Sequence, residues 1–247
     1  MIIETLSVFP EMFENVMSLS ILGRARQSKL FEYKGYNLRD WTHDVHRSVD
    51  DVPYGGGAGM LMKPEPIFEA IKDISATGPR PSVIFFSPTG TPFNQKLAHK
   101  LSQKERLLFF CSRYEGVDER AYTLADYTLS LGDFVLSGGE LAAMVVTDAI
   151  VRLLPGALGN DDSARDESFS SSGLLEYEQY TRPQSYRGLE VPPVLLSGNH
   201  QAIDAFRRES AIKKTLKFRP DLLAHARLSE EERLKLSEGF YIDKDEA

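Results

Sequence analysis

The chain has 247 residues, 42% hydrophobic and 26% charged, with a formal net charge of −7. That size and composition fit one large domain or two small ones with ample core. They leave no apolar stretch near the roughly 20 residues that span a bilayer, and the overall charge argues against a nonspecific nucleic-acid binder.

A single cysteine, Cys111, excludes an internal disulfide framework. Its apolar neighbours read it as a buried small hydrophobe rather than a nucleophile. Residues 1–9 lack the basic start and long apolar region of a signal peptide, so the expectation is a soluble, cytoplasmic protein with no membrane partner.

In chain order, residues 2–9 predict a strand and 13–27 a helix, with Met17, Ile21 and Leu22 among its apolar positions. Residues 50–59 form a glycine-rich loop with four glycines in five positions and Tyr54 beside them. Such a loop is either a mobile surface turn or a close-approach ligand loop. Residues 64–73 read as a helix, 82–87 as a strand, 94–101 as a helix and 107–111 as a strand. Residues 117–124 read as a helix and 126–131 as a strand. The continuous apolar runs suit strands covered on both faces, so the rhythm is that of an α/β domain with a parallel sheet.

Each of the last three strands runs straight into a turn. These are Ser87-Pro88-Thr89-Gly90, Ser112-Arg113-Tyr114-Glu115-Gly116, and the run Leu131, Gly132, Asp133, Phe134, Val135, Leu136, Ser137, Gly138, Gly139. Turns at the ends of parallel strands line one crevice, where α/β proteins bind ligands. The last run has no G-x-G-x-x-G order and no lysine after its glycines, so it matches neither common nucleotide fingerprint. Its glycines let bare backbone lie against a ligand.

Residues 140–154 then predict a buried helix ended by Pro155-Gly156, with Arg152 near its end. That guanidinium either pairs with Asp148, four residues earlier, or faces a site and stabilises an oxyanion. His43 and His46 have no further metal-type ligand nearby, so no zinc site is expected. Residues 159–173 are polar and read as a linker carrying Asp166 and Glu167. Helices follow at about 200–218 and 229–238, with His200 at the start of the first. Between Gln201 and Arg227 there are seven Lys and Arg against three Asp and Glu. This local excess is either a solvated helix face or a phosphate-binding patch.

Taken in order, the segments 50–60 (DDVPYGGGAGM), 87–90 (SPTG), 113–120 (RYEGVDER), 132–140 (GDFVLSGGE), 152–156 (RLLPG), 173–175 (GLL), 180–183 (YTRP) and 194–200 (VLLSGNH) resemble the bacterial tRNA (guanine-N1)-methyltransferase family, TrmD. The resemblance implies a SPOUT-class fold: an α/β, SPOUT-type parallel sheet with a deep trefoil knot, plus a small mostly helical C-terminal domain. It implies a methyltransferase domain over 1–160, a flexible linker over 161–173 and a tRNA-binding domain over 174–247. The family forms a homodimer with active sites at its interface, uses S-adenosylmethionine (AdoMet) and methylates N1 of guanosine 37 in tRNA, next to the anticodon. Its activity is linked to Mg²⁺.

Carried onto this chain, the cofactor-binding residues are Pro88, Thr89, Gly90, Ser112, Arg113, Tyr114, Glu115 and the whole 131–139 run. Arg152 steadies guanine O6, and Glu115 helps to orient the base or a metal ion. The tRNA-binding residues are Tyr54, Gly57, Gly59, Ser163, Arg182, His200, Arg207, Arg208, Lys213 and Lys214. The family's general base is an aspartate in a D-S-F motif, where this chain has Glu167-Ser168-Phe169. Asp166, one residue earlier, is the alternative base. Ser112 stands where the family commonly has glycine.

Overall fold

The computed structural model of the protein describes residues 1–159 and 167–241. The chain divides into two compact units, residues 1–159 and 160–247.

The first unit is built on a five-stranded, all-parallel sheet in the order β2-β1-β6-β5-β7. The strands are β1 (Ile2–Ser7), β2 (Glu32–Asn37), β5 (Ser82–Pro92), β6 (Arg106–Phe110) and β7 (Tyr127–Ser130). A short antiparallel pair, β3 (Asp50–Asp51) with β4 (Leu61–Met62), carries the glycine-rich loop. Every residue of central β6 is buried.

Side chains alternate across a strand, so the sheet divides its apolar residues between two cores. Leu107 and Phe109 join Ile3, Ile84 and Leu129 beneath α1 (Glu11–Ser18), α2 (Ser20–Gln27), α4 (Gln95–Ser102) and α5 (Glu140–Val151). Leu108 and Phe110 join Leu6, Val83 and Phe85 against α3 (Pro64–Ser75) on the other face. Each fully buried Leu or Phe contributes about 1.5–3 kcal/mol.

Four differences from the sequence expectation have physical causes. The helix expected over 13–27 is two helices. Leu19 is extended and Ser20 has φ 53°, so the chain breaks between them. Gly23 fits the break because a Cβ there would lie 2.1 Å from the Ser18 carbonyl oxygen. Strand β2 had no apolar run to announce it, since as an edge strand it buries little. Residues 119–124 form a 3₁₀ turn rather than an α-helix. Helix α5 stops at Val151, and Leu153 and Leu154 donate to Ile150 and Val151 in tighter turns.

The N-terminal ends of the strands are pinned by a buried ion pair. Arg106 Nε and Nη2 donate to Glu4 at 2.7 and 3.0 Å, and the remaining guanidinium protons reach the carbonyls of Ile74, Thr77 and Pro79. Removing either partner of such a pair costs about 3–5 kcal/mol. The opposite, C-terminal ends of the strands are left for the turns.

The second unit holds a hairpin, β8 (Ser185–Tyr186) with β9 (Leu189–Glu190), then α6 (His200–Phe218) and α7 (Glu230–Ser237). Its core is small: Leu174, Ala211, Ile212, Ala226 and Tyr241. Side chains of α6 stitch the extended 174–179 stretch to it. Thr215 Oγ1 accepts from the Leu175 N–H at 2.9 Å, and Ser210 Oγ accepts from the Glu178 N–H at 3.0 Å. Segment 167–173, expected as flexible linker, is folded into this unit. Phe169 N–H donates to Leu174, Arg227 N–H to Ser172, and Glu176 N–H to Ser168 Oγ. Its serines supply the hydrogen-bond acceptors that make it a turn rather than a tether.

Candidate active site

The three strand-end turns meet around a single cavity of about 410 Å³. This lies within the range of ligand sites, about 300–1,000 Å³. Pro88, Ser112, Arg113, Tyr114, Glu115, Leu131, Gly132 and the stretch from Phe134 to Gly139 line it, while Thr89, Gly90 and Asp133 do not. In the 131–139 turn, Phe134, Val135 and Leu136 are exposed, Val135 to 92%. Apolar side chains gathered at a cavity mouth mark a surface that another molecule covers.

The glycines here serve close packing within the protein. A Cβ on Gly139 would lie 2.8 Å from Cys111 Cα, and one on Gly138 would lie 2.4 Å from Arg113 Nε and 2.5 Å from Glu140 Oε2. Neither has positive φ. Both glycines line the cavity, and they also lie close against the 111–112 backbone and a buried charge pair. Gly90, outside the cavity, lets the 87–90 bulge of β5 press onto β7, where a Cβ would lie 2.5 Å from the Leu129 backbone.

Arg113 is held on all sides. Its Nε lies 2.9 Å from Glu140 Oε2, Nη1 donates to the Ser137 carbonyl at 3.3 Å, and Nη2 meets Met12 Sδ at 3.3 Å. The Nε contact falls outside hydrogen-bond geometry, so it is Coulombic. Glu140, fully buried behind the cavity wall, is a residue that the sequence reading gave no role. The available signal was an acid at the head of a helix whose first turns are otherwise apolar.

Tyr114 has φ 61°, and its phenol is pushed up from its ordinary value by burial and then by the Asp50 carboxylate, with Arg39 opposing. Cys111 is fully buried, and desolvation raises its thiol well above the usual range, as suits an inert core residue.

The glycine-rich loop docks beside this cavity. Glu115 N–H donates to Met60 carbonyl at 3.0 Å, and Met62 N–H to Gly116 at 2.9 Å. A Cβ on Gly59 would strike the Glu115 side chain at 2.3 Å. Gly55, Gly56, Gly57 and Gly59 all have positive φ, and Tyr54 at the tip is fully exposed.

Arg152 caps the C-terminus of α5 in helical conformation, half-buried, with its N–H on the Asp148 carbonyl at 3.1 Å. Glu167 opens the folded 167–173 turn of the second unit. Asp166 and Ser163 lie outside the described residues.

The chain matches, over residues 1–225, the family described as tRNA (Guanine-1)-methyltransferase TrmD. The chain belongs to this family. Proteins named tRNA (guanine-N(1)-)-methyltransferase are 52% identical in Dictyoglomus turgidum (93% of each chain) and 51% identical in Dehalococcoides mccartyi (96% of each chain). The Moorella thermoacetica protein of that name is also 51% identical, over 96% of this chain and 95% of its own.

Within this member of the tRNA (guanine-1)-methyltransferase family, the expected tRNA-binding residues have distinct surroundings. Arg182 and His200 are exposed, and the cap of α6 is Asn199 rather than His200. Arg207 stacks over Tyr177, and Lys213 pairs with Glu209. Lys214 lines, with Lys213 and Lys217, a second cavity of about 560 Å³. Arg208 grips Glu232 at 2.7 and 3.0 Å and the Arg227 carbonyl at 2.7 Å through Nε and Nη2. Among the described residues, no helix is long and apolar enough to cross a membrane, and no group of three or more His, Cys, Asp or Glu is placed to hold a metal ion.

Proposed function

We propose that this chain methylates N1 of guanosine 37 in tRNA from AdoMet, acting as a homodimer. The observation that carries the reading is the convergence of three strand-end turns on one cavity with an exposed apolar wall, in a chain of this family. Backbone N–H and C=O groups of the turns suit an adenine edge, and Phe134, Val135 and Leu136 suit its ring.

AdoMet, when bound, supplies a methyl group on a positively charged sulfur. The protein's task is to make guanine N1 nucleophilic. The Glu167 carboxylate takes the N1 proton, and Arg152 offsets the negative charge left on O6. Glu115, at the cavity beside the glycine-rich loop, orients the base. The two reacting side chains come from different compact units, and their meeting is part of the proposal. Glutamate in place of the family's aspartate places the carboxylate one methylene farther out. A misplacement of about 1 Å costs about 10²-fold in rate, so the 167–173 turn must compensate. Tyr54, Gly57, Gly59, Arg182, His200, Arg207, Arg208, Lys213 and Lys214 supply the tRNA contacts. Mg²⁺ is assigned no protein ligand.

The test is transfer of label from AdoMet to unmodified tRNA carrying G36-G37, followed by mapping of the methylated nucleotide. Glu167→Ala is expected to abolish transfer while AdoMet still binds. Full activity in that variant, with Asp166→Ala inactive, moves the base to Asp166. Bound tRNA with no transfer by the unaltered protein, or a methyl group mapped elsewhere, rejects the assignment.

A further inference from the structure

Three separate pieces of chain meet at one buried charge pair. Ser7, at the end of β1, donates to Glu140 Oε1 at 2.6 Å. The other Glu140 oxygen meets Arg113 of the 112–116 turn, and Arg113 in turn holds the Ser137 carbonyl of the 131–139 turn. Phe9 stacks on the same guanidinium at 4.8 Å. Gly138 sits over the pair with no room for a side chain. Ser137 and Gly138 line the cavity, whereas Ser7, Phe9, Met12 and Glu140 do not.

The head of α5 suits a carboxylate, because the helix N-terminus carries partial positive charge. Even so, burying the pair gains little stability over apolar side chains of the same volume. What a fixed pair adds is geometry. Arg113 has its Nε, Nη1 and Nη2 each against a protein atom, so its guanidinium braces the cavity wall that it lines.

We infer that Arg113 and Glu140 form a positioning pair that holds the 131–139 turn in its cofactor-binding shape, with Ser7 fixing the Glu140 carboxylate from behind. This rests on the reading of the cavity as the AdoMet site. Arg113 and Glu140 act through Ser137 and Gly138.

AdoMet affinity of the full-length protein, measured calorimetrically beside KM for tRNA and far-UV circular dichroism, tests it. Arg113→Lys keeps the charge but loses the fork, and Glu140→Gln keeps the shape but loses the charge. Both are expected to weaken AdoMet binding by about tenfold or more with KM for tRNA unchanged. Ser7→Ala, remote from the cavity and mild enough to fold, is expected to weaken AdoMet binding roughly threefold. In the Glu140→Gln background the Ser7→Ala effect is expected to vanish, because it travels through Glu140. Affinities of Arg113→Lys and Ser7→Ala within twofold of the unaltered protein overturn the inference. So do Ser7→Ala and Glu140→Gln effects that simply add. An unaltered protein that fails to bind AdoMet overturns the cofactor reading and this inference together.

Discussion

Two adjacent glycines in the 131–139 turn answer to different neighbours, and a methyl group separates their roles. On Gly139 it would press against the Cys111 and Ser112 backbone at 2.8 and 3.1 Å, which cannot swing aside. Gly139→Ala is therefore expected to destabilise the first unit by about 1–3 kcal/mol, the range for overpacking. It should show as a lower urea midpoint at unchanged slope. Gly55 is the control. A Cβ there meets nothing within 4 Å, so only its φ of 84° opposes alanine, and the loop tip absorbs that strain. A Gly139→Ala loss no larger than that of Gly55→Ala would show that close approach does not set the cost at Gly139.

At the level of elements, α6 and α7 are joined by Arg208 and Glu232, with Ser229 and Glu232 forming a capping box. The Arg208 guanidinium, helped by the Ser229 N–H and opposed by burial, holds the Glu232 carboxyl down at about 2, against an ordinary 4.5. A carboxyl with a depressed folded-state value stabilises the fold above its unfolded value and loses that contribution as pH falls. The second unit is thus expected to lose stability progressively from about pH 4.5 down to about 2, and Glu232→Gln should flatten that dependence. Urea midpoints at about pH 6 and about pH 3 for both proteins decide it, and parallel curves would rule out Glu232 as the cause.

The same elements show what was legible in the sequence. The strands β1, β5 and β6 announce themselves because central parallel strands must be apolar on both faces, and the turns follow from where those runs stop. Edge strand β2 and the break at Leu19 are set by tertiary packing, which leaves no periodic trace. The Arg113–Glu140 pair joins positions far apart in sequence, and no local pattern predicts that an acid at a helix head meets an arginine on another turn.

At the scale of the molecule, one surface of the first unit remains unexplained by its own core. Met12 and Val16 of α1 with Leu19 just beyond it, Leu141 and Val145 of α5, and Phe9 beside them are all exposed. Met12, Val16 and Leu19 follow the spacing of one helix face, as do Leu141 and Val145, and α1 packs against α5. Exposed apolar side chains gathered on two adjoining helices mark an association face, and a stable interface buries about 1,200–2,000 Å² in total. The proposed homodimer, if formed through α1 and α5, would account for the face and would place a second copy next to Phe9 and Met12, the outer neighbours of Arg113. A Leu141→Glu, Val145→Glu double variant puts two carboxylates where a desolvated contact is expected, and neither position is buried in the unit's own core. It is expected to sediment at half the mass of the unaltered protein with its circular dichroism unchanged, and to lose methyl transfer. An unaltered protein that sediments as a monomer, or a variant that keeps the dimer mass, would move the association face elsewhere and leave these six apolar side chains in need of another partner.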